Sequence, residues 1–257
     1  MNVFQKSLNW LVPSPPNDAL TRVLLAWRLW LVGALLGVLV AGAVYAIAPP
    51  PFRAQATVIV DNNLEEAWQY FPDRQLFYFL ERESRKLEAV AWDDETLAQV
   101  AAQVGNTTPE ALRTASLKIS HPAEGGWRFL AEDADKARAK QIAAAWAEAF
   151  VEQARANVVV SEELEDARAE LRQLLSADEP DLDAVEVVTG EIARLSEATA
   201  GISPYIELDL NQTKGVPAAR TVSTGMYLLI GSLAGALLLG LLSLFVLKAD
   251  EAEDGRV

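Results

Sequence analysis

The 27 residues from Thr221 to Leu247 carry no charged side chain and run directly into Lys248. About 20 apolar residues in a helix cover the hydrocarbon core of a bilayer, so this stretch predicts a membrane-spanning helix. One other stretch has the same character, the 20 uncharged residues from Leu29 to Ala48. The chain is therefore predicted to divide into a tail (1–28), a first span (29–48), a domain (49–220), a second span (221–247) and a short tail (248–257). Between the spans lie roughly 170 residues, enough for one folded unit.

Charge sets the predicted topology. Lys6, Arg22 and Arg28 outnumber Asp18 in the first tail, and Arg22 and Arg28 sit just before the first span. Basic residues flanking a span favour the cytoplasmic side. Both termini are then cytoplasmic and 49–220 is extracytoplasmic. Lys248 agrees, and the acidic tail after it carries little topological weight. The whole chain has a net charge of −14, and because the two tails cancel, all of it falls on the middle. Such acidity argues against nucleic acid, whose phosphates need Lys and Arg to release counterions. With no Cys in the sequence, disulfide frameworks and thiolate metal sites are excluded.

The first span has a small-residue end, Ala46-Ile47-Ala48, that mimics a signal-peptide cleavage site. Its apolar run exceeds that of a signal peptide, and Pro49 is a poor residue after a cut, so an uncleaved span is expected. Small residues recur four apart in both spans: Gly33, Gly37 and Ala41 in the first, Gly231 with Gly235 and Ser232, Ala236 and Gly240 in the second. That spacing lets helix backbones approach closely. Before the first span, Phe4, Leu8 and Leu11 keep helical spacing until Pro13-Ser14-Pro15-Pro16; a short interfacial helix and an unstructured tail both fit.

Pro49-Pro50-Pro51 ends the first helix, and Phe52, Ala54, Ala56, Val58 and Val60 then alternate along a strand predicted over Phe52–Asp61. Leu64 to Tyr70 predicts a helical turn closed by Pro72-Asp73. Leu76, Phe77, Leu80, Leu87 and Val90 form a helical stripe. Asp93 or Asp94 caps a helix bearing Leu97, Val100, Ala101 and Val104 up to Gly105-Asn106. Thr107 with Glu110 has capping-box spacing for another. Ser116–His121 and Trp127–Ala131 predict an antiparallel pair around the loop 122–126.

From Asp133 or Asp135 no Gly or Pro occurs until Pro180. Ala143, Trp146, Phe150, Gln153, Asn157, Val160, Leu164, Ala167, Leu171 and Leu174 keep 3,4 spacing, a coiled-coil seam with two polar interruptions. The predicted helix, about 134–176, would be about 65 Å long. After an acidic turn, Val185, Val188, Ile192 and Leu195 give a second seam on a return helix of about 182–200. That helix is shorter, so the lower half of the long one, with Trp146 and Phe150, is expected against the sheet. Tyr205–Asn211 alternates as a last strand, and Pro217 leads into the second span. The fold class expected is α+β: a four-stranded sheet and a coiled-coil-like helical hairpin between two transmembrane helices.

No catalytic, cofactor or metal site emerges. One His excludes multi-histidine metal centres, and no triad is expected around it, since His121 alternates with Leu117 and Ile119 as a structural residue would. No phosphate loop occurs, since Lys214-Gly215 has neither a glycine directly before the Lys nor one six residues before it. Asp178, Glu179, Asp181 and Asp183 lack the central Gly of a calcium loop and read as a solvated turn. Of the seven Trp, Trp127 and Trp146 are expected in the core, and Trp10, Trp27 and Trp30 at a membrane interface.

In this layout the chain resembles the polysaccharide co-polymerases, the Wzz-type chain-length determinants. Pro51-Phe52-Arg53-Ala54-Gln55-Ala56-Thr57-Val58-Ile59-Val60 corresponds to the strand that follows the first span in that family. The run Asp133 to Ala143 is similar to the start of its long outer helix. Val216-Pro217-Ala218-Ala219-Arg220 lies where the family has a proline-rich lead, of which only Pro217 is present here. The tail has neither a Walker motif nor a tyrosine cluster, which sets it apart from the kinase-fused branch. The resemblance implies a homo-oligomer in membrane lipid that catalyses nothing itself. It would set the length of an O-antigen, capsule or exopolysaccharide with a separate polysaccharide polymerase or the growing polysaccharide as partner. Two alternatives stand beside it: an adaptor activating a separate tyrosine kinase in polysaccharide export, and a two-span sensor or structural protein.

Overall fold

A computed structural model describes residues 27–67, 76–115, 117–120, 126–177, 181–212 and 215–249. The N-terminal stretch with Phe4, Leu8 and Leu11, the Pro72-Asp73 turn, His121, Asp178, Glu179, Lys214 and the tail from Asp250 lie outside these residues. The chain forms two compact units, Met1–Pro50 with Arg220–Val257, and Pro51–Ala219.

The first unit is a pair of apolar helices, α1 (Trp27–Ile47) and α8 (Thr224–Ala249). Both are long and apolar enough to cross a membrane. Their bounds differ by one to three residues from the uncharged runs, because the local ends decide where the helices start and stop. Ser223 Oγ accepts from the Met226 N–H at 3.2 Å, and this serine cap starts α8 three residues inside the uncharged run. The last turn of α1 closes on Ala48, whose N–H reaches the Val44 carbonyl at 2.8 Å just before three prolines.

The second unit is mixed α+β. Its elements are β1 (Phe52–Asp61), α2 (Leu64–Ala67), α3 (Leu76–Ala91), α4 (Asp94–Val104), α5 (Pro109–Ala115), β2 (Leu117–Ser120) and β3 (Gly126–Asp133). They are followed by α6 (Lys136–Leu175), α7 (Leu182–Ala198), β4 (Glu207–Gln212) and β5 (Ala218–Arg220). The sheet is antiparallel in the order β2-β3-β1-β4. Among the described residues it has five strands rather than the four expected, since β5 also pairs with β1. Gln55 N–H reaches the Pro217 carbonyl at 3.1 Å, on the stretch of β1 before the part that β4 covers. Three residues after a proline show no readable alternation, which is why β5 is invisible in the sequence.

Small residues let the long helix settle on the sheet. Ala54, Ala56 and Val58 on β1 are fully buried, as are Ala143, Ala147 and Ala154 on α6. Trp146 and Phe150 fill the space between them. The Phe129 ring meets Trp146 edge-on at 4.9 Å and Phe150 at 5.0 Å, and Trp127 stacks on Phe150 at 5.8 Å. Aromatic pairs of this kind contribute about 0.5–1.5 kcal/mol each beyond their buried area. Trp146 Nε1 donates to the Ala91 carbonyl at 2.8 Å, so the buried indole leaves no donor unmet.

Local capping refines several expectations. Asp93 caps α4, Asp135 caps α6 and Asp181 caps α7. Thr108, not Thr107, caps α5: its Oγ1 accepts from the Ala111 N–H at 3.2 Å, the first-turn contact of a capping threonine. The expected stripe on α3 holds at Leu87 and Val90 and differs in the first turns. Phe79, Glu83, Leu87 and Val90 are buried, whereas Phe77 is 81% exposed. An acidic residue at the buried position hid the true face. Gly105 takes φ 69° and ψ 163° after α4, a positive-φ geometry that glycine adopts without strain.

Candidate functional site

Two places gather the residues that matter, one in each unit. In the helix pair, the small residues singled out from spacing meet one another within the chain. A Cβ added at Gly37 would lie 2.8 Å from the Gly231 carbonyl carbon, and one at Gly33 would lie 2.9 Å from that of Gly235. Additions at Gly231 and Gly235 would meet the Gly37 carbonyl oxygen at 2.6 Å and the Gly37 Cα at 2.9 Å. Ala41 is buried beside Gly231, and Gly240 faces the Trp30 ring at 2.7 Å from an added Cβ. The close approach that such spacing allows is therefore used between α1 and α8 of one molecule. At the other end of the pair, Tyr45 meets Tyr227 edge-on at 5.5 Å. Arg220 stacks over Tyr45 at 5.7 Å and donates to the Pro50 carbonyl at 2.7 Å.

The seam residues fall into two groups. Trp146 and Phe150 belong to the core against the sheet. Leu164, Ala167 and Leu195 form a second buried cluster with Val160 and Ile192, where α7 packs on α6. Val188 is also buried, while Val185, Leu171 and Leu174 are half-buried. The two polar interruptions are satisfied inside the chain. Asn157 accepts from the Ala200 N–H at 3.0 Å and donates to the Gln153 carbonyl at 2.9 Å, and Gln153 Nε2 donates to Glu95 at 3.1 Å. They tie α6 to the end of the return helix and to α4, so neither needs a second copy to fix its register.

Between α3, α6 and the segment after α7 lies a groove of about 420 Å³ that spacing did not reveal. Its floor holds Glu83, only 2% exposed as a side chain. Glu83 accepts from Lys86 Nζ at 2.6 Å and from the Ser203 N–H at 2.9 Å, and Lys86 also bonds the Gly201 carbonyl. Gly201 has φ 70°, which turns its carbonyl toward that ammonium at a position few other residues tolerate. Ser161 and Thr199 share a hydroxyl bond of 2.8 Å across α6 and the end of α7. Arg82, Arg168 and Tyr205 stand on the rim, with Arg168 held to Glu165 at 2.7 Å.

A half-buried ion pair, fixed hydroxyls and exposed guanidinium groups suit the holding of a polar ligand. Ser161 bonds another hydroxyl, and Ser203 Oγ accepts from the Tyr205 N–H at 3.3 Å. Neither serine hydroxyl bonds a carboxylate in these contacts. No group of three or more acidic or His side chains able to hold a metal occurs among the described residues. The only signal that would have found the groove is Glu83 at a buried helical position, and a charge there reads as solvated. No protein-family model matches the chain, and no curated protein matches it either.

Proposed function

We propose that this chain is a non-catalytic, two-span protein of a bacterial inner membrane that assembles with copies of itself. In this reading it regulates the length of a surface polysaccharide made by a separate polymerase. The observation that carries it is the order of elements. Two helices long and apolar enough to cross a membrane enclose one α+β unit, in which β1 follows the first helix and a 40-residue helix packs on the sheet. That order is the one in which the chain resembles the Wzz-type determinants. Both termini are cytoplasmic, and α6 with α7 forms a coiled-coil-like hairpin in the extracytoplasmic space. The groove beside Glu83 is where the growing polymer is held.

The test is a gel profile of surface polysaccharide from cells with and without the protein. Loss of the protein should turn a modal band of long chains into a distribution without a preferred length, and the full chain should restore the mode. An unchanged profile removes the reading and leaves a two-span sensor or structural protein. Restoration by a chain lacking residues 248–257 separates length control from kinase activation, which would need the tail.

A further inference from the structure

The sheet has one covered and one open face. Ala54, Ala56, Val58 and Val60 of β1 turn inward, so Arg53, Thr57, Ile59 and Asp61 turn outward. Register places Arg128 of β3 beside Thr57 and Asp209 of β4 beside Ile59, with Glu207 opposite Asp61. Arg53, Ile59, Asp61, Lys118, Arg128, Glu207 and Asp209 are all exposed. The face is thus divided. Its β2–β3 side is basic and its β4 side is acidic.

Both halves are electrostatically incomplete in one molecule. Asp61 and Glu207 are directly opposed like charges, an arrangement that destabilises a strand pair. Neither they nor Asp209 forms an ion pair with any described residue, and the three do not converge as a metal site. Arg128 likewise makes no ion pair among the described residues. Glu132, by contrast, is already held by Arg53 at 2.6 Å and Lys118 at 3.4 Å.

We infer that the open face of the sheet docks on the same face of a second copy of this chain, Arg128 of each meeting the Asp61, Glu207 and Asp209 cluster of the other. Arg128 and Asp209 lie on strands either side of β1 and two residues apart in level, about 12 Å from each other by ordinary strand spacing. A two-fold axis lying between the two faces and running roughly along β1 exchanges them. One contact geometry then neutralises both clusters twice, as an isologous interface requires. Ile59, on β1 between the charged halves, gives the contact an apolar centre.

Full-length protein in mild detergent tests this by native mass measurement and sedimentation over a range of salt. Association should weaken as salt rises. Arg128→Glu and Glu207→Arg, each alone, should weaken it by at least about tenfold, since like charges are then juxtaposed across the contact. The chain carrying both substitutions should recover most of the loss. Thermal melts identify any variant that is misfolded, and Arg128→Gln with Glu207→Gln provides a milder pair. Assembly indifferent to both reversals, or a double variant as weak as either single, overturns this contact while leaving the homo-oligomer of the proposed function standing on other surfaces. A monomer under every condition overturns both.

Discussion

Glu132 and Glu83 both sit in poor contact with water, and each is stabilised by basic neighbours in its own way. Burial raises the pKa of Glu132, but the hydrogen bond and charge of Arg53, with help from Lys118, outweigh it and hold the carboxyl below the usual range. A carboxylate depressed by folding contributes stability that is fully present above its unfolded pKa and is lost as pH falls through the folded one. Glu132 therefore supports the fold at neutral pH and ceases to do so in acid, below the ordinary glutamate range. Glu132→Gln should lower the melting temperature at about pH 7 and narrow the difference from the parent chain at about pH 3. A gap that stayed constant with pH would show that Arg53 and Lys118 do not act through this charge. Glu83 shows why such residues resist reading from sequence. Its position on α3 is apolar by periodicity, and Lys86 together with the Ser203 N–H, from 120 residues away, explains a carboxylate there. Phe77, which fits the stripe by type, is exposed because Phe79 and Glu83 occupy the inner face.

Among elements, the paired helices show how far spacing alone reaches. Gly33, Gly37, Gly231 and Gly235 were legible as close-contact positions, but the partner was not, since the same spacing serves a helix of the same chain or of another copy. The two helices of one molecule take it. The consequence is graded. Gly37→Ala would push a Cβ into the Gly231 carbonyl, where backbone cannot yield cheaply, whereas Gly42→Ala would place one 3.7 Å from Leu228, an ordinary contact. Gly37→Ala should destabilise the helix pair by about 1–3 kcal/mol, in the range of overpacked cores, and Gly42→Ala should be close to neutral. Denaturation by increasing SDS in mixed micelles measures the difference. Equal effects of the two would mean that α1 and α8 do not meet at these glycines. Substituting Gly231 and Gly235 with Leu thus tests the pairing within a chain before it tests assembly. The long helix was legible for a different reason: from Lys136 to Leu175 neither Gly nor Pro interrupts an apolar face that changes partner from sheet to α7 without changing phase. Strand β5 had no such length to show itself.

At the scale of the whole molecule, sidedness follows from few charges. An even number of spans puts both ends on one side, and the choice of side rests on basic residues close to the spans. Arg22, Arg28 and Lys248 lie at the tail ends of the two apolar runs, while Arg53 and Arg220 lie at their inner ends. Taken alone, that bias is slight. It is decided by loop length, since basic residues weigh in short loops and a segment of roughly 170 residues crosses largely regardless of its charge. In the proposed topology the net −14 of the middle neither drives nor opposes export, and the basic residues beside the spans set the orientation. The absence of Cys from the sequence makes the check direct, because any introduced thiol is unique. Ser176→Cys, exposed after the long helix, should react in intact cells with a maleimide that cannot cross the inner membrane, once the outer envelope is opened to it. Ser7→Cys should react only after the inner membrane is permeabilised. Labelling in the opposite order would place the α+β unit in the cytoplasm, away from any surface polymer, and the length-control reading would fail with it.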